Sequence, residues 1–371
     1  MDIGYAAGYS NTSGTGNTNI GYYAGNTNTT GTSRVMVGYE AGLNNTGSNN
    51  VFLGKATGKG AGSGAQVIAI GQGVMETSSQ IDNSVLIGNY MAANCTSGAG
   101  ATIAIGANCL AVTGYSGEGN TVIGHQAGNN LSSGDDNVLL GRNAGDALTT
   151  SEGNVAIGAD AFGAGTSKYN VAIGKYALRN QNRGSQFASY NVAIGYNADA
   201  NPNTSAGYYR TIIGGQAGND DGYNVTNIGY GSSASASNAN NEITLGNSSI
   251  TALRCAVTSI TSLSDERDKS EIEDLSYGLA FIDALQPREF VWDNRPETDV
   301  EGKEFYSENK GKKDFGFIAQ EVKELDNDTL RLVYEENSDK LELSYGKLVP
   351  ILVKAIQELK EEVEILKSQN K

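Results

Sequence analysis

The sequence predicts a mainly β fold, in which a trimeric rod is followed by a small α+β domain that ends in a coiled-coil helix. The rod is expected to be a parallel β-roll, or solenoid, of about 17-residue coils. Three observations predict this fold: a glycine motif recurs fifteen times, the composition changes abruptly near residue 264, and the last segment carries heptads. The predicted parts are a repetitive shaft (residues 1–249), a connector (250–263), a compact domain (264–343) and a terminal helix (344–371).

The repeat unit reads Asn-Val-Ala-Ile-Gly-x-x-Ala and is clearest at residues 154–161, 170–177 and 191–198. Its glycines follow one another at steps of 15 to 21 residues, most often 17. Regular self-similarity at such a step is the sequence signature of a solenoid. The anchoring glycines are Gly4, Gly21, Gly38, Gly54, Gly71, Gly88, Gly106, Gly124, Gly141, Gly158, Gly174, Gly195, Gly214, Gly229 and Gly246.

Each unit combines a strand signal with turn signals. The residue before the glycine is Ile, Leu or Val, and the residue two positions earlier is usually Val, Ile or Thr, which predicts a short strand with one apolar face. The glycine allows a bend or a close backbone approach, and an alanine three positions later marks a small inward position. Asn, Thr, Ser and Gly between the units are typical of turns. We therefore expect two short strands and two turns per coil, and a rod of roughly 70 Å at the ~4.8 Å strand spacing.

The thinness of such a coil has a consequence for assembly. It encloses few side chains, so its aliphatic row needs other surfaces, most simply two more copies of the chain around a common axis. Residues 1–246 also resemble the head repeats of YadA-like trimeric adhesins, which carry Asn-Ser-Val-Ala-Ile-Gly units in a left-handed parallel β-roll. Both the row and the resemblance imply a homotrimer, although the repeat of this chain is longer than is usual in that family.

Composition excludes several classes of function. Residues 1–264 hold 24 charged residues and 44 glycines, whereas residues 265–371 hold 43 charged residues and five glycines. The net charge of −15 argues against nucleic-acid binding through phosphate contacts. Cys95, Cys109 and Cys255 form no C-x-x-C motif and His125 is the single histidine, so we expect no metal site and no cofactor. The chain has no apolar run of about 18 residues, so we expect no membrane insertion.

Four segments of the C-terminal part carry a second resemblance. Their order and spacing resemble those of the endosialidase-type intramolecular chaperone domain, which ends many phage tail spikes and fibres and also occurs in the myelin regulatory factor family. The resemblance covers residues 264–371. The segments are the pattern Ser-Asp-x-Arg-x-Lys at 264–269 and the stretches at 285–292, 313–322 and 343–350.

This resemblance implies a serine peptidase that acts once, on its own chain, and a trimerisation chaperone that is released after the cut. By its motif, Ser264 is the nucleophile and Lys269 the base, while Asp265 and Arg267 are supporting positions. A serine hydroxyl needs a nearby base, and lysine is a base only when neutral, which burial or a cationic neighbour such as Arg267 favours. We expect trimer formation to bring Ser264 and Lys269 together. Taken alone, Ser264 before two acidic residues also fits an ordinary helix N-cap.

Ring size bears on the bond that is cut. Attack of the Ser264 hydroxyl on the Leu263 carbonyl passes through a five-membered ring, whereas attack on its own carbonyl would close a strained four-membered ring. This favours the bond before Ser264. The resemblance permits either bond of the junction Leu263-Ser264-Asp265, and both remain open.

The terminal helix carries about three heptads, with apolar residues at alternating steps of three and four. An amphipathic helix that packs on its own domain is the alternative. β-branched residues at the first position and Leu at the second favour two-stranded coils, but the rod and the resemblance favour three. Pro350 should start or kink this helix. The first set of positions is Val349, Ile356 and Val363, and the second is Leu352, Leu359 and Leu366.

Together these features predict the distal segment of a phage tail fibre, which is made in the host cytoplasm and incorporated in the virion. Its expected partners are two further copies of itself, other tail proteins, and a host receptor that is a glycan or an outer-membrane component. One alternative is a polysaccharide-degrading tailspike, which would need a pair of catalytic carboxylates. A second alternative is a bacterial trimeric surface adhesin, which would need a secretion signal and a membrane anchor.

Overall fold

The computed structural model divides the chain into two units, Met1–Asn247 and Ser248–Lys371, which are considered separately. Most of the predicted connector, with Cys255, lies outside the described residues. The structure describes all residues except 79, 93–94, 96–98, 164–165, 181–188, 200–206, 219–221, 237, 255–262, 299–303, 308, 327–328, 336, 338 and 371.

The first unit is a parallel β-solenoid, as the repeats predict. In the part of the unit that is described, fifteen short strands form one parallel sheet, and each pairs in register with the strand of the next coil. A second pair, β6 with β8, forms a separate small sheet. The strands are β1 (Asp2–Ile3), β2 (Thr18–Ile20), β3 (Val35–Val37), β4 (Val51–Leu53), β5 (Ile68–Ile70), β6 (Ile81–Asp82), β7 (Val85–Asn89), β8 (Ala99–Gly100), β9 (Ile103–Ala107), β10 (Thr121–Ile123), β11 (Val138–Leu140), β12 (Val155–Ile157), β13 (Val171–Ile173), β14 (Val192–Ile194), β15 (Thr211–Ile213), β16 (Thr226–Ile228) and β17 (Ile243–Leu245).

The expectation of two strands per coil is wrong for most of the described coils, which contain one strand each. The rest of a coil is turn, because it holds residues in the left-handed region at regular positions. One of these is the residue five positions before each anchoring glycine, for example Asn49 at φ +61° and Asn224 at φ +54°. Residues in this conformation interrupt a strand and turn the chain through a corner.

The anchoring glycines behave as the sequence predicts. From Gly4 to Gly229 their φ angles lie between +126° and +153°, a region that residues with a Cβ rarely adopt. A Cβ on Gly71 would also overlap the carbonyl oxygen of Gly88 in the next coil. Both the backbone conformation and the contact between coils therefore require glycine.

The strands have an inward and an outward face. In strands β2 to β5 and β10 to β16, the middle residue points into the coil, and Ala156 and Ala172 are fully buried there. The residues on either side point outward, and Leu53 and Ile103 are more than two-fifths exposed. The aliphatic row is thus on the outside of a single chain. The alanines predicted to point inward are fully buried: Ala24, Ala41, Ala127, Ala144 and Ala177.

A ladder of buried asparagines runs through the interior beside the strands. The Asn154 Oδ1 atom accepts hydrogen bonds from the backbone N–H of Asn170 at 3.0 Å and from its Nδ2 at 3.2 Å. Asn137 accepts from Asn154 in the same way, at 3.0 and 3.1 Å. These asparagines are the first residues of the repeat unit, and their stacking was not predicted from the sequence. Each side chain satisfies a backbone donor of the following coil, so the narrow core can hold polar groups.

The second unit is a small domain of short strands and helices, which confirms the predicted α+β class. Strands β18 and β21 pair antiparallel. Its core contains Phe281, Leu285, Val322, Leu332, Leu348 and Ile351. Its elements are a 3₁₀ turn (Glu266–Asp268), α1 (Leu279–Ala284), β18 (Arg288–Val291), β19 (Glu297–Thr298), β20 (Glu304–Phe305), β21 (Lys313–Gly316), α2 (Ala319–Asp326), β22 (Val333–Tyr334), β23 (Glu342–Leu343), a second 3₁₀ turn (Tyr345–Lys347) and α3 (Leu348–Gln369).

Helix α3 has two apolar faces: the interpretation that it packs on its own domain is confirmed, and the coiled coil stays a prediction. One face packs on the domain, where Ile351 and Ala355 are buried and Glu358 accepts a 2.7 Å hydrogen bond from the backbone N–H of Leu279 at the start of α1. The six heptad residues lie on another face and are 39–66% exposed. Pro350 lies in the first turn of the helix, where its missing N–H costs no hydrogen bond. Among the described helices, none has the length and apolarity that crossing a bilayer requires.

Candidate active site

The residues of the Ser-Asp-x-Arg-x-Lys pattern form one tight turn. Asp265 is the N-cap of the first 3₁₀ turn, and its Oδ1 atom accepts a 2.9 Å hydrogen bond from the backbone N–H of Arg267. The backbone N–H of Lys269 closes the turn on the carbonyl of Glu266 at 3.1 Å. The cap is therefore Asp265, and the alternative interpretation of Ser264 as the N-cap is wrong.

This turn brings Ser264 and Lys269 into contact within one chain. The Lys269 Nζ atom donates a 2.7 Å hydrogen bond to Ser264 Oγ and a 3.1 Å bond to the carbonyl oxygen of the same residue. A separation of five residues becomes a direct contact because the 3₁₀ turn reverses the chain between them. We expected trimer formation to bring the two side chains together. This expectation is wrong, because they are in contact within one chain.

The other two residues of the pattern pair with each other. The Arg267 guanidinium donates two hydrogen bonds to the Asp265 carboxylate, from Nε to Oδ1 at 3.0 Å and from Nη2 to Oδ2 at 2.6 Å. The ion pair lowers the pKa of Asp265 and raises that of Arg267. Because this carboxylate compensates the guanidinium charge, Arg267 is poorly suited to the expected role of a cation that favours neutral lysine.

The surroundings of the pair limit its chemistry in a single chain. Residues 263–274 are all exposed. A lysine side chain accepts a proton from serine only in its neutral form, which desolvation favours. One chain therefore brings the hydroxyl and the amine into contact but leaves Lys269 open to solvent.

Three later segments of the resemblance meet around strands β18 and β21. Arg288 on β18 contacts Glu321 on α2 through two hydrogen bonds of 2.9 and 3.1 Å. The Tyr345 hydroxyl accepts a 3.1 Å bond from the backbone N–H of Phe317, and a Cβ on Gly316 would meet the same hydroxyl. These contacts give Glu321 a structural partner and connect stretches that are distant in the sequence.

The remaining reactive side chains lie elsewhere. Cys95 and Cys109 are buried in the solenoid, and burial raises their pKa values to about 12 and about 11, which keeps both thiols protonated. Within the described residues, no group of three or more His, Cys, Asp or Glu side chains could hold a metal ion. Among the described residues, Ser264 and Lys269 bring a hydroxyl and an amine into direct contact.

Residues 264–331 match the family model described as the chaperone of endosialidase, Peptidase_S74. The match begins at Ser264, and it supports an intramolecular chaperone domain of the kind found in tail fibres and tailspikes, with a self-cleaving peptidase activity. It does not extend into residues 1–246, so the likeness to YadA-like head repeats remains a prediction. Neither the search of curated proteins nor that of solved structures found a match.

Proposed function

We propose that the chain is the distal segment of a phage tail fibre, whose C-terminal domain drives trimer formation and then releases itself by cutting the Leu263-Ser264-Asp265 junction. The observation that carries this proposal is the 2.7 Å hydrogen bond between Lys269 Nζ and Ser264 Oγ. It lies at the first residue of the stretch that matches the endosialidase chaperone family. The fibre would serve in attachment of the virion to its host.

The favoured reaction is an N-to-O acyl shift followed by hydrolysis. Neutral Lys269 takes the proton of the Ser264 hydroxyl while the oxygen attacks the Leu263 carbonyl. The bond from that carbonyl to the Ser264 nitrogen then breaks, and the nitrogen takes the proton back from the lysine. Water hydrolyses the ester, which leaves a carboxylate on Leu263 and an amine on Ser264. Lysine therefore acts first as a base and then as an acid.

Two surfaces support assembly into a trimer. The outward aliphatic residues form a stripe along the solenoid strands, and single soluble chains rarely expose apolar patches of this extent. The heptad face of α3 is the second exposed surface. Assembly of three chains would cover both of them. It would also provide the added surface that Lys269 needs to lose water, which makes cleavage dependent on assembly.

The intact mass of freshly expressed protein tests the mechanism. We expect wild-type protein to yield two fragments that join at residues 263–265. Ser264→Ala and Lys269→Ala should each leave the full-length chain, whereas the matched variant Ser270→Ala should be cut like the wild type. Efficient cleavage of Ser264→Ala, or a fragment mass that places the cut outside 263–265, would contradict the proposed mechanism.

Light scattering separates assembly from cleavage. Uncut Ser264→Ala protein should have the mass of three full-length chains, because the substitution removes one exposed hydroxyl and no packing contact. A stable monomer of the folded, uncut protein would refute the trimer. If Ser264→Ala formed trimers and stayed uncut, while wild-type protein was cut, assembly and the peptidase step would be established as distinct functions.

A further inference from the structure

A groove lined by tyrosines lies on the side of the solenoid. Its residues are far from the candidate active site in the sequence. It has a volume of about 650 Å³, which falls within the ordinary range of small-ligand sites. Its walls come from successive coils that present equivalent residues. The lining residues include Lys168, Tyr169, Ser189, Tyr190, Tyr208 and Tyr209.

The tyrosines of this groove occupy an unfavourable backbone position. Tyr169, Tyr190 and Tyr209 are the corner residues five positions before an anchoring glycine, with φ angles of +57°, +62° and +59°. The same corner is occupied by Gly or Asn in most other described coils, and these residues tolerate the left-handed region. Three consecutive bulky residues at such a corner are not needed to form the coil, since smaller residues form it elsewhere. Backbone strain of this kind is common at binding sites.

The three rings form a ladder parallel to the stack of coils. The ring centroids of Tyr169 and Tyr190 are 5.4 Å apart, and those of Tyr190 and Tyr209 are 5.5 Å apart. The hydroxyls of Tyr190, Tyr208 and Tyr209 make no hydrogen bond in the part of the chain that the structure describes. The groove therefore offers apolar ring surface and hydroxyl groups side by side, repeated from coil to coil.

Charge in the groove is compensated. The Lys168 ammonium lies 3.1 Å from a Glu152 carboxylate oxygen, which also accepts a 2.6 Å hydrogen bond from the Tyr169 hydroxyl. The rest of the wall carries hydroxyls and no further charged group among the described lining residues. A net charge of −15 on the chain further disfavours a polyanion. A neutral, hydroxyl-rich ligand with apolar C–H faces matches this surface.

The lengths of the coils add a second, independent observation. The steps from Gly174 to Gly195 and from Gly195 to Gly214 are 21 and 19 residues, the two longest in the chain. The groove residues Ser189, Tyr190, Tyr208 and Tyr209 belong to these two coils. In solenoid proteins, coils with extra residues are often those at the binding face.

We infer that this groove binds a neutral oligosaccharide along the axis of the solenoid, with Tyr190 at its centre. The inference rests on the proposed role in host attachment and assigns the contact to a definite site. Tyr190 has an equivalent corner tyrosine on each side, so its loss interrupts the ladder in the middle.

The probe is a printed array of neutral oligosaccharides, with sulfated and sialylated oligosaccharides as the contrast, incubated with labelled full-length protein. We expect binding to neutral members and at least a tenfold loss of affinity in Tyr190→Asn. Asparagine suits the left-handed corner, so this variant should fold. The matched control Tyr22→Asn removes a half-exposed tyrosine from the Tyr5–Tyr22–Tyr39 stack and should bind within twofold of wild type.

Binding to a panel of bacterial strains, measured with the same proteins, separates this inference from the proposed function. Two results would contradict oligosaccharide binding in the groove without contradicting host attachment. In the first, wild-type protein attaches to cells but binds no neutral oligosaccharide. In the second, Tyr190→Asn binds oligosaccharides like wild type. Preference for the charged oligosaccharides would also overturn the inference. A Tyr190→Asn protein that dissociates into single chains would show that a second copy covers the groove, and this would overturn the inference as well. Wild-type protein that binds no strain would instead refute host attachment.

Discussion

Asn154 allows the contribution of the buried asparagine ladder to be measured. In Asn154→Ala, the backbone N–H of Asn170 loses its acceptor, and the Ser167 carbonyl loses the 3.1 Å bond from Asn154 Nδ2. Asn170 Nδ2 keeps its bond to the Lys168 carbonyl. Asn137 Oδ1 and the Glu152 carbonyl also lose a bond from Asn154 Nδ2 but keep a backbone donor each, so two buried groups are left without a partner. At ~1–3 kcal/mol for each unsatisfied group, the expected loss of local stability is about 4 kcal/mol per chain.

Hydrogen exchange followed by mass spectrometry is the appropriate measurement, because a solenoid opens locally and each coil is stabilised by its neighbours. A loss of about 4 kcal/mol corresponds to roughly a thousandfold faster exchange. We expect this acceleration in strands β12 and β13, and no change in the distant strand β3. The exposed Asn130, whose Nδ2 donates to the Asp146 carbonyl, provides the control Asn130→Ala, which should change exchange less than threefold.

A conservative variant tests the stated cause more sharply. At the equivalent position of another coil, Ser84 Oγ accepts a 3.1 Å hydrogen bond from the backbone N–H of Thr102. Asn154→Ser should therefore still accept from Asn170 and should lose about half as much stability as Asn154→Ala. If the two variants were equally damaging, or if exchange rose uniformly along the solenoid, the ladder would not be the stabilising element that we describe.

Three other predictions concern a glycine, the heptad face and the cysteines. Gly71→Ala, at φ +130°, should lower stability by ~3 kcal/mol or more because strain adds to overlap with the next coil, and a guanidinium midpoint equal to that of wild type would contradict this. Ile356→Asp should reduce the mass found by light scattering without loss of helix in circular dichroism, since Ile356 is exposed in the single chain. Cys95 and Cys109 should resist iodoacetamide at pH 8.5 until the protein is unfolded, because their raised pKa values keep the thiols neutral; rapid labelling of the native protein would argue against their burial. The same shifts mean that these thiols stabilise the fold fully below pH ~8.5 and less as pH rises above it.

The solenoid could be predicted from the sequence because the spacing of one residue type, glycine, indicates both the length of a coil and the places where the backbone needs a special conformation. Glycine recurs where the backbone adopts positive φ and where the next coil approaches, and no other residue satisfies both conditions. The asparagine ladder escaped prediction because asparagine is also the commonest turn residue. Its role depends on whether the side chain points inward, and short strands bounded by turns leave that direction undetermined.

The candidate active site shows the same division between local and assembled properties. The spacing of Ser264 and Lys269 matched a known pattern, and the contact between them arises within six residues, so a local argument could reach it. The alternative of Ser264 as an N-cap arose because Ser264 and Asp265 are both good caps, and only the backbone decides between them. The proposed reaction would also need solvent to be excluded from Lys269 by residues outside this turn, and a local pattern does not encode them.

The contrast between the two units follows from what repeats can and cannot specify. In the solenoid, a coil shifted by one repeat would place asparagine on asparagine, glycine on glycine and aliphatic residue on aliphatic residue. Such a shift between identical chains would cost little free energy, so the stripe favours association but leaves its register poorly defined. The second unit has a core without internal repetition and a heptad face on α3, which permit far fewer alignments. Under the proposed function, chains that first associated through this domain would begin solenoid formation in a common register, which the stacked coils would then hold. Under the proposed function, the domain would then no longer be needed, and a cut at the Leu263-Ser264-Asp265 junction would remove it.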